Sequence, residues 1–219
     1  MSTRVAVMVR GPAPSDARLV NDPESDPHEP AEDRTRTTAL SDEVRRNLLR
    51  SRTVLIFGEI NSELAQTTTA QLLALATESD APIRVVIHSP GGHVESGDTI
   101  HDVIRFIRPE VQMIGTGWVA SAGALIYVAA RPELRYALPN TRFLLHQPLG
   151  GVRGRATDIG IEANQIAAMR ERLNRIFAAA TGQDPAKLAR DTDRNLWMNV
   201  REAQAYGLVH RVIERVVEI

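Results

Sequence analysis

The stretch VQMIGTGWVASAGALIYVAA, residues 111–130, decides the architecture. Its first part, VQMIGTG, carries the β-branched and apolar residues of a short buried strand. Its second part, SAGALIYVAA, reads as a buried helix, ended by Arg131 and Pro132. A strand running straight into a helix is the unit of an α/β layer structure. Ser121 stands at the joint, with Ala120 and Ala122 beside it and Gly117 and Gly123 close by. A hydroxyl there meets free N–H groups and the positive end of a helix, which favour developing negative charge. A plain helix-capping serine is the commoner reading of such a residue.

Outward from this joint the same alternation continues. RTVLIFGEI is a strand ended by Gly58. SELAQTTTAQLLALATES is a helix with Leu64, Leu72, Leu73 and Leu75 on its buried face. PIRVVIHSPGG is a β-branched strand entering a glycine pair, and ESGDTIHDVIRFI is a helix. TRFLLHQP is a strand, and ATDIGIEANQIAAMRERLNRIFAAATG is a long amphipathic helix stopped by Gly182. DPAKLARDT is a short helix, and EAQAYGLVHRVIERVVEI is a helix, a glycine turn and a last strand. Ser41 is placed to cap a first helix. Residues 1–38 differ: they are rich in Pro, Asp and Glu and poor in large apolar residues, so they bury too little surface to offset ordering. They are expected to form a flexible extension or a cleaved propeptide, ahead of one domain over residues 39–219.

Composition closes off several functions. The chain has 219 residues and a formal net charge of -1, which leaves no basic footprint for nucleic acid. It has no cysteine, hence no disulfide, thiolate nucleophile or thiolate-held zinc. Its six histidines show no metal-ligand spacing, so neither metal nor cofactor is expected. Val5–Val9 is too short for a secretory signal, and no apolar run reaches the roughly 18 residues of a membrane span. A soluble, cytoplasmic protein is expected, with no membrane partner.

Two further stretches carry chemistry. In SPGG, residues 89–92, glycines after a strand can turn backbone N–H groups toward a ligand, although a tight turn explains Gly-Gly alone. In RFLLHQPLGG, residues 142–151, His146 ends a strand just before a turn, where it can face a cleft or be a satisfied core histidine.

Taken in order, SPGG, GWVASAG, LPNTRFLLHQPLGG, RDTDRN and EAQAYGLVHRVI resemble the landmarks of the ClpP family, the proteolytic subunits of the ATP-dependent Clp protease. The resemblance covers roughly residues 40–217. The spacings agree as well, with 29 positions from Gly92 to Ser121 and 25 from Ser121 to His146. It implies a ClpP/crotonase-like spiral of alternating strands and helices with a protruding helix-strand handle. It implies Ser121 as nucleophile, His146 as general base, and the N–H groups of Gly92 and Ala122 as oxyanion hole. The long helix after Gly154 matches the handle through which two seven-membered rings stack into a tetradecamer. Asp193 and Arg194 match a polar pair that bridges the rings. Implied partners are unfolded polypeptide substrates, further copies of the chain, an AAA+ Clp ATPase and a ClpP paralogue.

The sequence departs from the family pattern at one decisive place. The third triad position, an Asp in the family, is Asn195 here, within the run DTDRN. An amide oxygen can orient the imidazole, but it brings no charge to stabilise an imidazolium. Trp118 stands where the family has a small or polar residue, and Arg84 and Val86 stand where it often has aromatic residues of the ATPase-docking pocket. Three readings follow: a ClpP-type serine endopeptidase, a weak or silent ring subunit partnering an active paralogue, and a CoA-thioester enzyme on the same fold. The Ser121/His146 pair favours the first.

Overall fold

The structure is a computed structural model and describes residues 41–148 and 153–219. The expected N-terminal extension lies outside these residues, as do Leu149 to Gly151 of the HQPLGG block and Val152.

The elements alternate as the sequence predicts. They are α1 Asp42–Arg50, β1 Thr53–Phe57, α2 Ser62–Glu78, β2 Ile83–Ser89, α3 Val94–Phe106, β3 Val111–Ala120 and α4 Ala122–Tyr127. Then come β4 Arg135–Ala137, β5 Arg142–Leu145, α5 Ala156–Thr181, α6 Pro185–Asp191, β6 Leu196–Asn199, α7 Val200–Tyr206 and β7 Arg211–Val212. Ser41 does cap α1, accepting the Val44 N–H. Gly182 ends α5 in the left-handed conformation, φ 72°, the usual glycine stop.

Strands β1, β2, β3, β4 and β7 pair in that order, all parallel. Strand β2 alternates buried and half-buried residues, and Ile83, Val85 and Ile87 are fully buried. That period-two burial is what a sheet with unequal faces demands. The main core lies between the sheet and α2–α5, with Tyr127 and Phe143 in edge-to-face contact at 5.1 Å.

Strand β3 is longer than expected and serves two neighbours. Met113–Gly115 pair with β4, whereas Trp118–Ala120 pair with β5. Between them the register slips, and Gly117 turns at φ 55°. A Cβ there would come within 2.6 Å of His88 Nδ1. That nitrogen instead accepts the Trp118 N–H at 3.0 Å, replacing the lost ladder bond. The bulge bends the strand and re-aims its end. A glycine that reads as a strand terminator is thus a kink inside the strand.

Four other details differ from the sequence reading. Leu73 is exposed and Leu64 only half-buried, because the inward stripe of α2 is Ala65, Thr68, Leu72 and Leu75. Residue 73 lies about 100° around the helix from residue 72. The short strands β4 and β6 were not foreseen, being too brief to show periodicity. Helix α4 stops at Tyr127. The last strand is two residues long and is followed by a 3-10 turn, Val216–Glu218. Among the described residues no helix is long and apolar enough to cross a membrane, and no group of His, Asp or Glu could hold a metal ion.

Candidate active site

Ser121 sits at the elbow between β3 and α4, at φ 54° and ψ -121°. A non-glycine residue at positive φ costs energy and is kept only where its surroundings fix it. Here the Ser121 N–H donates to Leu144 O at 2.9 Å, and its carbonyl accepts the Leu125 N–H at 3.1 Å. The hydroxyl makes no capping hydrogen bond, so the ordinary capping role does not describe it. It is half-buried.

The loop after β2 lies against this elbow. The Gly91 N–H donates to the buried Ser89 Oγ at 3.0 Å. The Ile60 N–H donates to Gly91 O, and the His93 N–H to Ile60 O, both at 2.8 Å. These bonds hold the peptide of Gly92 from both sides, at φ 145°, and a Cβ on Gly92 would run into the Ile60 carbonyl. Among the described residues neither the Gly92 N–H nor the Ala122 N–H donates to a protein acceptor. Gly91, at φ 99°, touches Ser121: an added Cβ would lie 2.6 Å from Ser121 Cβ and 3.2 Å from its Oγ. Gly91→Ala is therefore expected to abolish reaction of Ser121 with a fluorophosphonate while the chain stays folded, measured by intact mass and circular dichroism. Gly91 was not singled out from the sequence, although it stands beside Gly92 in SPGG.

His146 follows β5 and Asn195 precedes β6. The antiparallel register of these strands, with Leu145 opposite Leu196, sets the two residues face to face although they are 49 positions apart. His146 Nδ1 lies 3.2 Å from Asn195 Oδ1. With the amide oxygen toward the ring, the proton sits on Nδ1 and Nε2 is a free base. Among the described residues no hydrogen bond joins Ser121 Oγ to His146.

The neighbouring carboxylates are engaged elsewhere. Asp193 accepts from Gln147 Nε2 at 2.6 Å and faces Arg170 at 3.4 Å. Asp191 accepts from Lys187 Nζ at 2.5 Å and from the Tyr206 hydroxyl at 2.8 Å, and the Lys187 bond chiefly holds its pKa below the usual range. Neither replaces Asn195 at the imidazole. Arg194 is exposed. Trp118 stacks on Trp197 at 5.6 Å, with the Arg142 guanidinium 4.6 Å from the Trp197 ring. This cluster had no sequence signal, because it joins β3, β5 and β6.

Two contacts that support the site were also missed. Arg172 of α5 grips Asp98 of α3 with two bonds, 2.5 and 2.7 Å, and α3 begins two residues after Gly92. Gly97 lets α3 close on α4, where a Cβ would sit 3.2 Å from Ala122 Cβ.

The family described as Clp protease matches residues 36–216. The ATP-dependent Clp protease proteolytic subunit 2 of Gluconobacter oxydans is 60% identical over 205 residues, 92% of each chain. Subunit 3 of Rhizobium etli is 56% identical over 200 residues, 91% of this chain and all of that one. Among solved structures, ClpP1 from Listeria monocytogenes is 52% identical with a TM-score of 0.73, matched over 80% of this chain and 98% of its own. A point mutant of that ClpP1 matches over the same shares with a TM-score of 0.75.

Proposed function

Since the chain belongs to the Clp protease family and has its fold, we propose that this protease subunit is a serine endopeptidase in which Ser121 attacks the peptide carbonyl. The observation that carries the reading is Ser121 itself, strained at φ 54° with a hydroxyl that caps nothing, beside the glycine pair. His146 Nε2 takes the Oγ proton as the Oγ–C bond forms. The carbonyl oxygen becomes an oxyanion, met by the N–H groups of Gly92 and Ala122. Collapse breaks the C–N bond, and the proton on His146 passes to the leaving amine. Water then repeats the sequence on the acyl ester. Asn195 holds the ring in the useful tautomer. Ser121 and His146 share no hydrogen bond among the described residues, and such bonds often form only once substrate binds.

The substrates are unfolded polypeptides, cut inside two stacked seven-membered rings in the cytoplasm. Helix α5 would form the ring contact with Asp193 and Arg194 at its edge, and an AAA+ Clp ATPase would feed the chamber. Arg84 and Val86 are both half-buried, and they offer an ATPase loop a less aromatic surface than the family pattern. The test is intact mass after a fluorophosphonate. One adduct on the wild type and none on Ser121→Ala supports the reading. No adduct on an intact ring supports the second one.

That second reading is a silent or weak ring subunit working beside an active paralogue, and Asn195 favours it. It predicts that mixing with an active relative restores cleavage.

A further inference from the structure

A cavity of about 550 Å³ opens between α3, the chain that follows α4 and the last turns of α5. None of Gly92, Ser121, Ala122, His146 or Asn195 lines it, so it is separate from the candidate active site. Its lining gathers His101, Arg105, Arg131, Arg135, Arg172 and Arg175, with no acid among the described residues. Val128, Ile176 and Ala179 make part of its wall apolar.

The positive charges are only partly balanced. Arg172 is held by Asp98, and Arg131 by Glu110 and Glu133. Among the described residues no ion pair engages Arg105, Arg135 or Arg175. Arg105 stands near enough to Arg135 to add to the lowering of its pKa that burial causes. Like charges gathered in a cleft repel one another and draw an anion in.

Two buried groups keep hydrogen-bonding capacity for such an anion. The Arg135 guanidinium spends three N–H groups on the carbonyls of Ala130, Val128 and Ala180, so two of its five remain. The His101 side chain is only 7% exposed, and its Nδ1 lies 2.9 Å from Asp102 Oδ1, a carboxylate that is itself largely exposed. Its Nε2 has no protein partner among the described residues. No fully buried side-chain nitrogen among those residues is left unpaired, so Nε2 keeps an opening, and the cavity supplies it. In the imidazolium form the ring donates to Asp102 through Nδ1 and to an anion through Nε2.

We propose that this cavity binds a small organic phosphate, a phosphate monoester on a compact apolar body. The guanidinium fork matches phosphate oxygens. A monoester brings nearly two negative charges and three acceptor oxygens to the three unpaired guanidinium groups. The volume is worth roughly 18 waters at about 30 Å³ each, more than a bare ion fills and within the range of small-molecule sites.

The test is isothermal titration calorimetry on the full, assembled chain at low salt, with phenyl phosphate as the probe. It is expected to bind about tenfold tighter than inorganic phosphate, which lacks the apolar body. Benzoate, with the ring and a single charge, should bind at least about fivefold weaker than phenyl phosphate. Arg105 and Arg175 are exposed residues, so changing them removes charge without opening the core. Arg105→Gln and Arg175→Gln should each weaken phenyl phosphate about fivefold, and the double variant about 25-fold. Arg201→Gln, an exposed arginine of α7, should leave the affinity unchanged. A short peptide bearing phosphotyrosine puts the same group on a polypeptide and is expected to bind more weakly. Tighter binding of that peptide would overturn the small-molecule assignment. No heat above dilution at millimolar phenyl phosphate, benzoate binding equally well, an unchanged affinity in the double variant, or an equal loss in Arg201→Gln would overturn the proposal.

Discussion

Asn195→Asp is expected to raise peptidase turnover by about 10²-fold with the assembly unchanged. The substitution keeps the side-chain shape and puts a carboxylate oxygen where Oδ1 now lies 3.2 Å from His146 Nδ1. The orienting bond is already made, so what the change adds is charge. In the proposed mechanism His146 becomes an imidazolium in the transition state, and only an anion stabilises it through the shared bond. In a related triad the reverse change costs about 10⁴ in turnover. The gain here should be smaller, because Asn195 is exposed and solvent weakens the pair. Neither of the two acids nearest in sequence dilutes the effect, since Asp191 is taken up by Lys187 and Tyr206, and Asp193 by Gln147 and Arg170. The measurement is kcat/KM on a fluorogenic peptide, with light scattering to confirm the same particle. An unchanged rate in an intact assembly would mean that residue 195 is not the limiting defect.

Arg135→Met is expected to cost about 4 kcal/mol of stability, the largest single structural effect. The Arg135 side chain is only 2% exposed. Its Nε donates to Ala130 O at 2.8 Å, Nη2 to Val128 O at 3.2 Å and Nη1 to Ala180 O at 2.7 Å. It thus serves the carbonyls that follow α4 and those at the end of α5, where the helix dipoles are negative. Burial lowers its pKa to about 10, against the opposing pull of Tyr127 and Glu133, so the group is still charged at neutral pH. Methionine fills similar space but leaves three carbonyls without these donors, at about 1–3 kcal/mol for each group left unmet, less what relaxation recovers. Arg135→Lys should recover under half, because an ammonium cannot reproduce the planar fork. Urea unfolding at one fixed protomer concentration checks both variants, since assembly would otherwise shift the midpoint. A loss below about 1 kcal/mol would show that water replaces the guanidinium at these carbonyls.

Some of this molecule could be read directly from the chain. Long elements announced themselves, because α2, α3 and α5 repeat at the helical period and β2 alternates between two environments. Ser121, His146 and Gly92 stood out because each sits at the end of an apolar run, and strand ends are where an α/β sheet presents its chemistry. Asn195 was recognisable as a departure, since its block is local in sequence.

Other features depend on contacts between distant segments, which local periodicity does not encode. The sequence left open whether Ser121 was a simple cap. The positive φ at the elbow and the unspent hydroxyl decided that, and both follow from Leu144 and Gly91 pressing on it from other segments. The bend in β3 at Gly117 needed His88, 30 positions before Trp118, to take over a backbone bond. Arg135 reads as one more surface cation until α4 and α5 are seen to end over it. Residue identities and short-range periodicity determined the layers, and the order of the motifs, through the family resemblance, singled out the candidate groups. Only the packing of segments dozens of residues apart decided their conformations and partners, because burial and hydrogen-bond satisfaction are properties of the assembled surface.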